Sequence, residues 1–549
     1  MANAQYVRNN AWNSGGTFDN EDLLWYAKGV GRMMSRPIAD PQSWWFYAAI
    51  HGEYANPNTA WYKEYAPNGV FPAWSAVVAP PAFATTPLPS AEVMTQYWNQ
   101  CQHGSWYFAP WHRGYLLSLE AQLRQDIVDQ GGPATWALPY WDYFGNNGSQ
   151  FPMPPALKQP TLPDNTPNPL FFTMRYGPNG DDNIFVPTPA SNDPNPSMGE
   201  VTDTSLNDTV YTYTGTGSQI IPGFGGPATT FSHSGAHHGG LESNPHDLVH
   251  AYVGGQPNGP EGQSLYGLMG DPNTAGLDPV FYLHHCNIDR MWASWNAAGN
   301  ANPTDPAWLQ GPTPQFAMPG PNGQPWVYTP AEMQALDSLN YSYQELTPVP
   351  VGPSPVAARL LKLGATPQAA AALAPAPGTE PKTTATELMG ASANNLRVQG
   401  TGISAPVRFD PSVQAKSAAR LKSFSDSVAN AQVSTPALPD RVFLKLENIT
   451  GDSEATIFNV YVESREDTDP AVFAGTIALF GLRLASLADG KHGGEGLTFT
   501  LNITPIVDQL HLTNNFTASE LSVRLVPNKP LAPGKEVQVG RISVYRQAF

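Results

Sequence analysis

Apolar residues recur at helical spacing over much of the first 350 residues. After Pro110, the residues Tyr115, Leu116, Leu119 and Leu123 form one apolar stripe, which is the pattern of a helix with a buried face. Proline favours the first turn of a helix because its missing N–H would have no intrahelical partner there. Long loops separate such stretches, so the pattern predicts a mainly α-helical region with much irregular structure.

The apolar pattern changes to alternation from Arg441 onwards. Examples are Val442 to Leu446, Thr456 to Val462 and Leu521 to Val526. Short alternating strands separated by Gly, Asn and Asp are typical of an antiparallel sandwich. We therefore predict an all-β sandwich domain at residues 440–549.

A third region lies between these two and differs from both in composition. Residues 351–439 are rich in Ala, Pro, Thr and Ser, which provide few large side chains to bury and are typical of a linker. Within it, Ser412 to Gln432 carries one apolar stripe and predicts an amphipathic helix that docks on the core. The predicted fold is thus a mainly α core at 1–350, a linker, and the all-β domain.

The composition excludes several classes of protein. The net charge of −17 argues against a surface for nucleic acid or for an anionic membrane, since both require clustered Lys and Arg. No apolar run reaches the roughly 18 residues of a transmembrane helix. The start of the chain lacks the basic and apolar regions of a signal peptide, so we expect a cytoplasmic protein, with export by another route left open. Two cysteines are too few for a disulfide framework.

Histidine is distributed unevenly along the chain. Ten of the 12 histidines lie between His51 and His285. Pro245 predicts the start of a helix, after which His246 and His250 are four positions apart and face the same way. Two imidazoles on one face of a helix are able to bind one metal ion. An exposed or core histidine pair is the alternative.

A second group of histidines lies more than 100 residues earlier. His112 falls in a predicted first helical turn, with His103 in the loop before it, and His51 follows another aromatic-rich helical stretch. His284 and His285 are adjacent within an apolar helix, where each buried ring nitrogen requires a partner. Imidazole-only ligation suits copper and zinc, and one catalytic zinc requires only about three histidines. The number therefore favours two metal ions with three neutral nitrogen ligands each.

In order and spacing, these histidine motifs resemble the type-3 copper proteins, the tyrosinase and polyphenol oxidase family. The resemblance covers about residues 45–295, and its motifs are His51-Gly52, Cys101-Gln102-His103, Trp111-His112-Arg113, Pro139-Tyr140-Trp141-Asp142, His246-Asp247-Leu248-Val249-His250, and Asp278-Pro279 through His285 to Asp289-Arg290-Met291-Trp292. Tyr341-Ser342-Tyr343 resembles the tyrosine motif that closes the family's core domain. The last domain is similar to the C-terminal domain of plant-type polyphenol oxidases.

The resemblance implies two copper ions, with O2 as co-substrate. It implies three histidine ligands for each copper: His51, His103 and His112 for the first, and His246, His250 and His285 for the second. His284 is then not a ligand. Cys101 resembles the cysteine that forms a thioether to His103 in fungal and plant members, and a plain buried thiol is the alternative.

Three further positions are interpreted from the same resemblance. Glu242 matches the family's water-holding glutamate, four positions before His246. Asp247 stands where many tyrosinases carry Asn, and together with Glu242 it is expected to orient a water that takes the phenol proton; the alternative is an exposed residue in a first helical turn. Pro272, six positions before Asp278, matches the gate over the second copper, where several plant members carry Phe. A small residue there leaves room for a monophenol.

Several other polar residues are expected to be structural. Three histidines in a Gly-rich loop have no counterpart in the family, and we expect them to be exposed, with copper delivery as the alternative: His233, His237 and His238. Asp289 and Arg290 are expected to form an ion pair that anchors their helix. Asp142 is expected to be a structural acceptor.

We therefore predict a tyrosinase, which hydroxylates small monophenols at the ortho position and oxidises o-diphenols to o-quinones. A catechol oxidase or an o-aminophenol oxidase, without monophenol hydroxylation, is the alternative. An oxygen carrier of the hemocyanin type is an alternative from a different class, although its motif spacing and subunit size fit this chain poorly.

The last domain is consistent with two roles. In similar enzymes such a domain covers the copper pocket and places a side chain where the substrate ring would lie. Phe480 is a candidate for that side chain, although we expect it in the core of the domain. Alternatively, residues 351–549 assemble subunits into a homo-oligomer. Cutting the linker distinguishes the two roles, because a lid predicts a gain in turnover and an assembly domain predicts a loss or no change.

Overall fold

A computed structural model describes most of the chain. The described residues are 5–65, 74, 87–191, 199–213, 221–233, 235–259, 265–321, 323–347, 355–374, 386–430, 438–464, 471–489, 492–512 and 519–548. Among them, no helix combines the length and the apolar character needed to cross a membrane.

Helices dominate the first part of the chain, as predicted. They are α1 (Glu21–Met34), α2 (Trp44–His51), α3 (Ala60–Tyr65), α4 (Ala91–Tyr97), α5 (Phe108–Asp129), α6 (Asp247–Gly254), α7 (Pro272–Ala275), α8 (Pro279–Ala297) and α9 (Pro306–Gln310), followed by α10 (Pro355–Lys362), α11 (Pro367–Leu373), α12 (Pro411–Asn430), α13 (Leu482–Ala485) and α14 (Thr504–Leu512). The two longest core helices, α5 and α8, pack against each other, and α1 packs on α5. Residues on all sides of α8 are buried from Pro279 to Trp295, so this helix lies in the centre of the core.

A buried cluster of charges ties the ends of the core domain together. Strand β4 (Tyr341–Tyr343) pairs in parallel with β1 (Tyr6–Arg8). Asp289 on α8 accepts hydrogen bonds from Arg8 at 3.0 Å and from Arg113 at 2.5 Å. The hydroxyls of Tyr341 and Tyr343 also donate to Asp289. The tyrosine motif therefore closes the core by joining both arginines at one carboxylate.

The expected ion pair between Asp289 and Arg290 is wrong. Adjacent residues on a helix point in different directions, and Arg290 turns instead to Asp142, with 2.7 Å between Nη2 and Oδ1. Asp142 thus has the structural acceptor role that we expected. Burial by itself raises the pKa of Asp289, but Arg113 and Arg8 more than offset this, and the pKa lies below the usual 3.8.

Replacing Asp289 with Asn is expected to destabilise the fold strongly. The change leaves Arg8 and Arg113 buried without their counter-charge, which costs about 3–5 kcal/mol. Thermal unfolding of Asp289→Asn should therefore begin well below that of the parent chain, whereas the exposed Asp337→Asn should unfold like the parent. Equal unfolding temperatures for the two variants would contradict this role. Because the folded pKa is lowered, the contribution is present above about pH 4 and is lost as the pH falls through the folded pKa.

The second half of the chain contains the all-β domain that we predicted. Besides β1 and β4, the core holds the hairpin β2 (Phe316–Pro319) and β3 (Pro325–Tyr328); the other strands are β5 (Thr386–Ala391), β6 (Leu396–Val398), β7 (Ile403–Phe409), β8 (Arg441–Gly451), β9 (Ile457–Ser464), β10 (Val472–Ala478), β11 (Leu497–Asn502), β12 (Glu520–Pro527) and β13 (Val537–Gln547). They form one nine-stranded sheet in the order β10-β9-β12-β7-β5-β13-β8-β11, with β6 also on β13.

This sheet curls on itself until it nearly closes. Its strand pairs are antiparallel, and alternate residues of β12 are buried. At the two ends of the order, Leu501 of β11 lies against Gly475 of β10, whose added Cβ would be 3.1 Å from it. The long strands β8 and β13 pair with each other over most of their length. All nine strands therefore belong to one sheet, whereas we expected the two separate sheets of a sandwich.

Residues 386–409 differ from the linker expectation for 351–439. They form β5, β6 and β7 within the same sheet, because their short alternating runs pair with β12 and β13. The predicted amphipathic helix exists as α12, but its buried Leu421 and Phe424 share a small cluster with Leu360 and Ala370 of α10 and α11. The described part of its apolar stripe is therefore covered by other parts of the same region rather than by the helical core.

Candidate metal centre

The first three predicted copper ligands lie together in the core. The ring centroids are 5.2 Å apart for His51 and His103, 5.7 Å for His51 and His112, and 5.4 Å for His103 and His112. His51 is the last residue of α2, and His112 lies in the early part of α5, which begins at Phe108 as its Pro110 suggested. His103 comes from the loop before α5. We call these residues the first triad.

The other three predicted ligands form a second triad that faces the first. Its ring centroids are 4.5 Å apart for His246 and His250, 4.9 Å for His246 and His285, and 5.4 Å for His250 and His285. His246 ends an irregular turn at Glu242–His246, and α6 follows directly, so both residues share one face as expected. The two triads meet where His112 stacks on His285, with centroids 4.5 Å apart.

Backbone and side-chain acceptors orient the rings of both triads. Nδ1 lies 2.8 Å from the Pro272 carbonyl in His51, 2.8 Å from the Phe108 carbonyl in His112, and 2.9 Å from the Met269 carbonyl in His250. In a neutral ring that donates from Nδ1, Nε2 presents its lone pair to the site. These contacts therefore fix the direction of the metal-binding nitrogens.

The arrangement fits a dicopper site on its own chemistry. No described residue forms a hydrogen bond with Nε2 of His51, His103, His112 or His246, although these atoms are buried and such groups normally have partners. Burial lowers the pKa of these histidines, to about 4 for His51, so the rings are neutral donors. The ligand nitrogens of His246, His250, His284 and His285 lie within 4.8 Å of one another, and so do those of His51, His112 and His285. Neutral imidazoles alone are a ligand set that suits copper.

His284 also lies beside the second triad. Its ring centroid is 5.2 Å from that of His250 and 5.5 Å from that of His246. Geometry alone leaves both members of the adjacent pair near the site. The assignment of His285 as the ligand therefore stays a prediction, and it is taken up in the Discussion.

Glu242 and Asp247 are both buried beside His246. The Glu242 carboxylate accepts the Gly104 N–H at 2.9 and 3.0 Å. Gly104 has a φ of +60°, and a Cβ there would lie 2.5 Å from the backbone of Gly235, so glycine is required for this close approach. Burial raises the pKa of Glu242 above its usual range.

Asp247 has partners other than the water that we expected it to orient. Its Oδ1 lies 2.9 Å from His246 Nδ1 and its Oδ2 lies 2.6 Å from His238 Nδ1. Asp247 is completely buried, in contrast to the alternative of an exposed first-turn residue. It holds a predicted ligand in orientation, as carboxylates behind metal-binding histidines commonly do.

The expected exposure of the loop histidines is wrong for His233 and His238, which are 0% and 3% exposed. His233 Nδ1 lies 3.0 Å from Cys101 Sγ, and His103 Nδ1 lies 3.4 Å from the same sulfur. Cys101 is thus near the histidine to which the thioether was predicted, and the thioether itself stays a prediction. The spacing of four residues between His238 and Glu242 was the one local feature of the sequence that indicated their contact. No local feature of the sequence indicated that His233 lies beside Cys101.

Pro272 and Phe480 both lie beside the two triads. Pro272 begins α7 and its carbonyl contacts His51 of the first triad; its role as a gate over the second copper stays a prediction. Phe480 does not lie in the core of the β domain. Its ring stacks on His250 of the second triad with centroids 4.1 Å apart and planes at 23°.

The loop that carries Phe480 is held rigidly. Gly481 follows with a φ of +82°, and its N–H donates to Glu454, together with the N–H groups of Leu482 and Arg483. Glu454 is buried, so three donors satisfy its carboxylate. The β domain therefore places an aromatic ring directly over the dicopper region.

Comparison with known proteins agrees with this geometry. The common central domain of tyrosinase matches residues 41–298, and a domain of unknown function (DUF7868) matches residues 385–547, beginning one residue before β5. Tyrosinase HcTyr1 from Hahella sp. (strain CCB-MM4) is 30% identical over 542 residues, which are 96% of this chain and 97% of that protein. Polyphenol oxidase A1 from Vicia faba is 28% identical over 342 residues, covering 60% of this chain and 46% of that protein.

Solved structures with the same fold include a latent aurone synthase (polyphenol oxidase), with a TM-score of 0.56 and 20% identity over 100% of this chain and 90% of that chain. A latent apple tyrosinase gives a TM-score of 0.54 and 20% identity over 100% of this chain and 98% of that one. The family is one of dinuclear copper oxidases that use O2, and the buried histidine clusters of this chain fit copper sites. The chain belongs to the tyrosinase and polyphenol oxidase family.

Proposed function

We propose that this member of the family hydroxylates small monophenols at the ortho position and oxidises o-diphenols to o-quinones. The observation that supports the hydroxylation is the buried Glu242 carboxylate, on the same short turn as His246. A phenol has a pKa of about 10, so a base close to the dicopper site favours binding of the phenolate at neutral pH. A site that only oxidises catechols has less need of such a base.

Each residue then has a distinct part in the reaction. Copper, when held by the two triads, supplies the redox chemistry with O2. The phenyl ring of Phe480 on His250 has the size of a phenol ring, so a substrate would stack there once Phe480 moves away. Glu242 accepts the phenol proton through a water, and Asp247 holds His246 in orientation.

Oxygen uptake by the copper-loaded chain tests this proposal. We expect uptake with a monophenol, after a lag, and immediate uptake with the matching catechol. Uptake with catechol alone would make the chain a catechol oxidase and contradict the role of Glu242. No uptake with either phenol, in a variant that lacks the Phe480 ring, would favour an oxygen carrier.

Asp247 is expected to act through His246 and not on the substrate. In Asp247→Leu, His246 Nδ1 loses its acceptor, and the loss of such a contact typically lowers metal affinity or activity about 10–100-fold. Asp247→Asn keeps an acceptor oxygen and should retain most of both. We expect copper to be released more readily to a chelator from the Leu variant, with monophenol and catechol turnover lowered together. Copper retention in Asp247→Leu equal to that of the parent chain would exclude this role.

The β domain is proposed to cover the site. Support comes from the ring of Phe480, which lies 5.7 Å from His246 and 5.8 Å from His103 as well as against His250. Two solved structures with a similar fold are those of a latent aurone synthase and a latent apple tyrosinase. Assembly of a homo-oligomer through residues 351–549 is the alternative, and the experiment that separates them is given in the Discussion.

A further inference from the structure

His238 lies in a loop that is fixed from both of its sides. Toward the core, the N–H of Gly235 donates to the His103 carbonyl at 2.9 Å. Toward the β domain, the N–H of Thr498 on β11 donates to the Ala236 carbonyl at 2.5 Å. The ring of Phe499 lies 5.8 Å from that of His238. The imidazole is therefore enclosed between the dicopper region and the nearly closed sheet.

The two ring nitrogens of His238 face two different carboxylates. Nδ1 lies 2.6 Å from Asp247 Oδ2, and Nε2 lies 3.9 Å from Glu242 Oε1. Among the described residues, the ion pairs of Glu242 and Asp247 are made with His238 and His246 only. Two buried carboxylates that face the same imidazole require a compensating positive charge. His238 is placed to provide that charge.

The surroundings of His238 favour its charged form. Burial lowers the pKa of His238, but the carboxylates of Glu242 and Asp247 outweigh burial and raise it to about 9. The other titratable groups near this region include the neutral rings of His103 and His237, the thiol of Cys101 beside Glu242, and Lys445 beside His237, and β11 contributes the apolar Phe499. At neutral pH the charged ring therefore donates from Nδ1 to Asp247, while its Nε2 lies 3.9 Å from Glu242 and has no hydrogen-bond partner among the described residues.

We propose that His238 is a positioning residue of this enzyme: it turns the Asp247 carboxylate toward His246 and holds the Glu242 carboxylate beside the dicopper site. Nδ1 faces Asp247 and Nε2 faces Glu242, so the positioning of the two carboxylates is separable by mutation. The Glu242 part rests on the proposed hydroxylation of monophenols. The Asp247 part concerns the orientation of a predicted copper ligand and is independent of the substrate.

Two substitutions at His238 separate the two nitrogens. The amide nitrogen of His238→Asn takes the place of Nδ1 and keeps the bond to Asp247, whereas that of His238→Gln takes the place of Nε2 and keeps the contact with Glu242. His237→Gln is the matched control, because His237 lies next in the chain and contacts neither carboxylate in the described structure. Each variant is assayed as the full, copper-loaded chain.

We expect His238→Gln to lose copper to a chelator about 10–100-fold more readily than His237→Gln, since His246 loses its fixed acceptor. We expect His238→Asn to retain copper like the control but to lower monophenol turnover, relative to catechol turnover, about tenfold or more. Thermal unfolding of each variant shows whether the fold is retained. A variant that unfolds near the control yet keeps the control's copper retention and turnover ratio would overturn the proposal.

These readouts distinguish failure of this inference from failure of the proposed function. If the parent chain oxidises catechol but no monophenol, the hydroxylation proposal fails, and copper retention in His238→Gln still decides the role at Asp247. If the parent chain hydroxylates monophenols and both His238 variants match His237→Gln, the function stands and His238 has no positioning role. If both His238 variants unfold far below the control, His238 is a structural residue and the proposal is overturned.

Discussion

His285→Asn is expected to retain one copper ion per chain and to lose oxygen uptake with every phenol. His285 closes the second triad, where its Nε2 lies 3.2 Å from that of His250, and its ring also stacks on His112 of the first triad. Loss of a partner behind a ligand already costs about 10–100-fold. Loss of the ligand itself should therefore lower turnover to about one hundredth or less. Copper content and oxygen uptake measure the two effects.

His284→Asn is the matched control for this experiment. His284 is adjacent in the chain, equally buried, and near the same two imidazoles. We expect His284→Asn to bind two copper ions and to retain turnover within the range of the parent chain. If the two variants exchange these outcomes, His284 is the ligand and the assignment drawn from the family pattern is wrong for this chain.

Phe480→Ala is expected to raise turnover at low substrate concentration. The ring of Phe480 stacks on His250, so a phenol must displace it before reaching the site. If about 90–99% of chains are in this covered state, removing the ring raises the apparent affinity about 10–100-fold. The gain should appear as a lower KM with little change in kcat. Cleavage at a protease site introduced at 375–385 should produce a gain in the same direction.

Phe473→Ala provides the control for Phe480→Ala. Phe473 lies on β10 of the same domain, but its side chain is half exposed and its ring lies beside Tyr461. We expect no change in KM for that variant. A loss of turnover, or no change, in both Phe480→Ala and the cleaved chain would contradict a covering role and favour assembly of subunits through this region.

Much of the site could be predicted because helix periodicity is a local property. His246 and His250 share a face wherever the helix lies, and Pro110 with the stripe from Tyr115 to Leu123 indicated the helix that carries His112. The same reasoning identified the alternating strands from Arg441 onwards. The same reasoning did not identify strands β5 to β7. They lie within an Ala- and Pro-rich segment, and we interpreted that composition as a linker instead of reading its short alternating runs as strands.

Partner choice over long distances could not be predicted. Arg8 and Arg113 meet Asp289 from positions 281 and 176 residues away, and no local spacing distinguishes them from the neighbouring Arg290. Phe480 reaches His250 across the domain interface, although its apolar neighbours suggested the core of the β domain. A residue's own sequence neighbourhood says whether it prefers burial, but not which surface covers it.

The type of chemistry could be predicted from the sequence alone, because six histidines in motifs that resemble those of the family imply two imidazole triads. The sequence also determined the division into a helical core and a β domain, through two different periods of apolar residues. Three contacts became visible only in the folded protein: His238 lies between Glu242 and Asp247, His233 lies beside Cys101, and Phe480 lies over the site. These contacts depend on how separate elements pack, and packing balances burial against the need of each buried polar group for a partner.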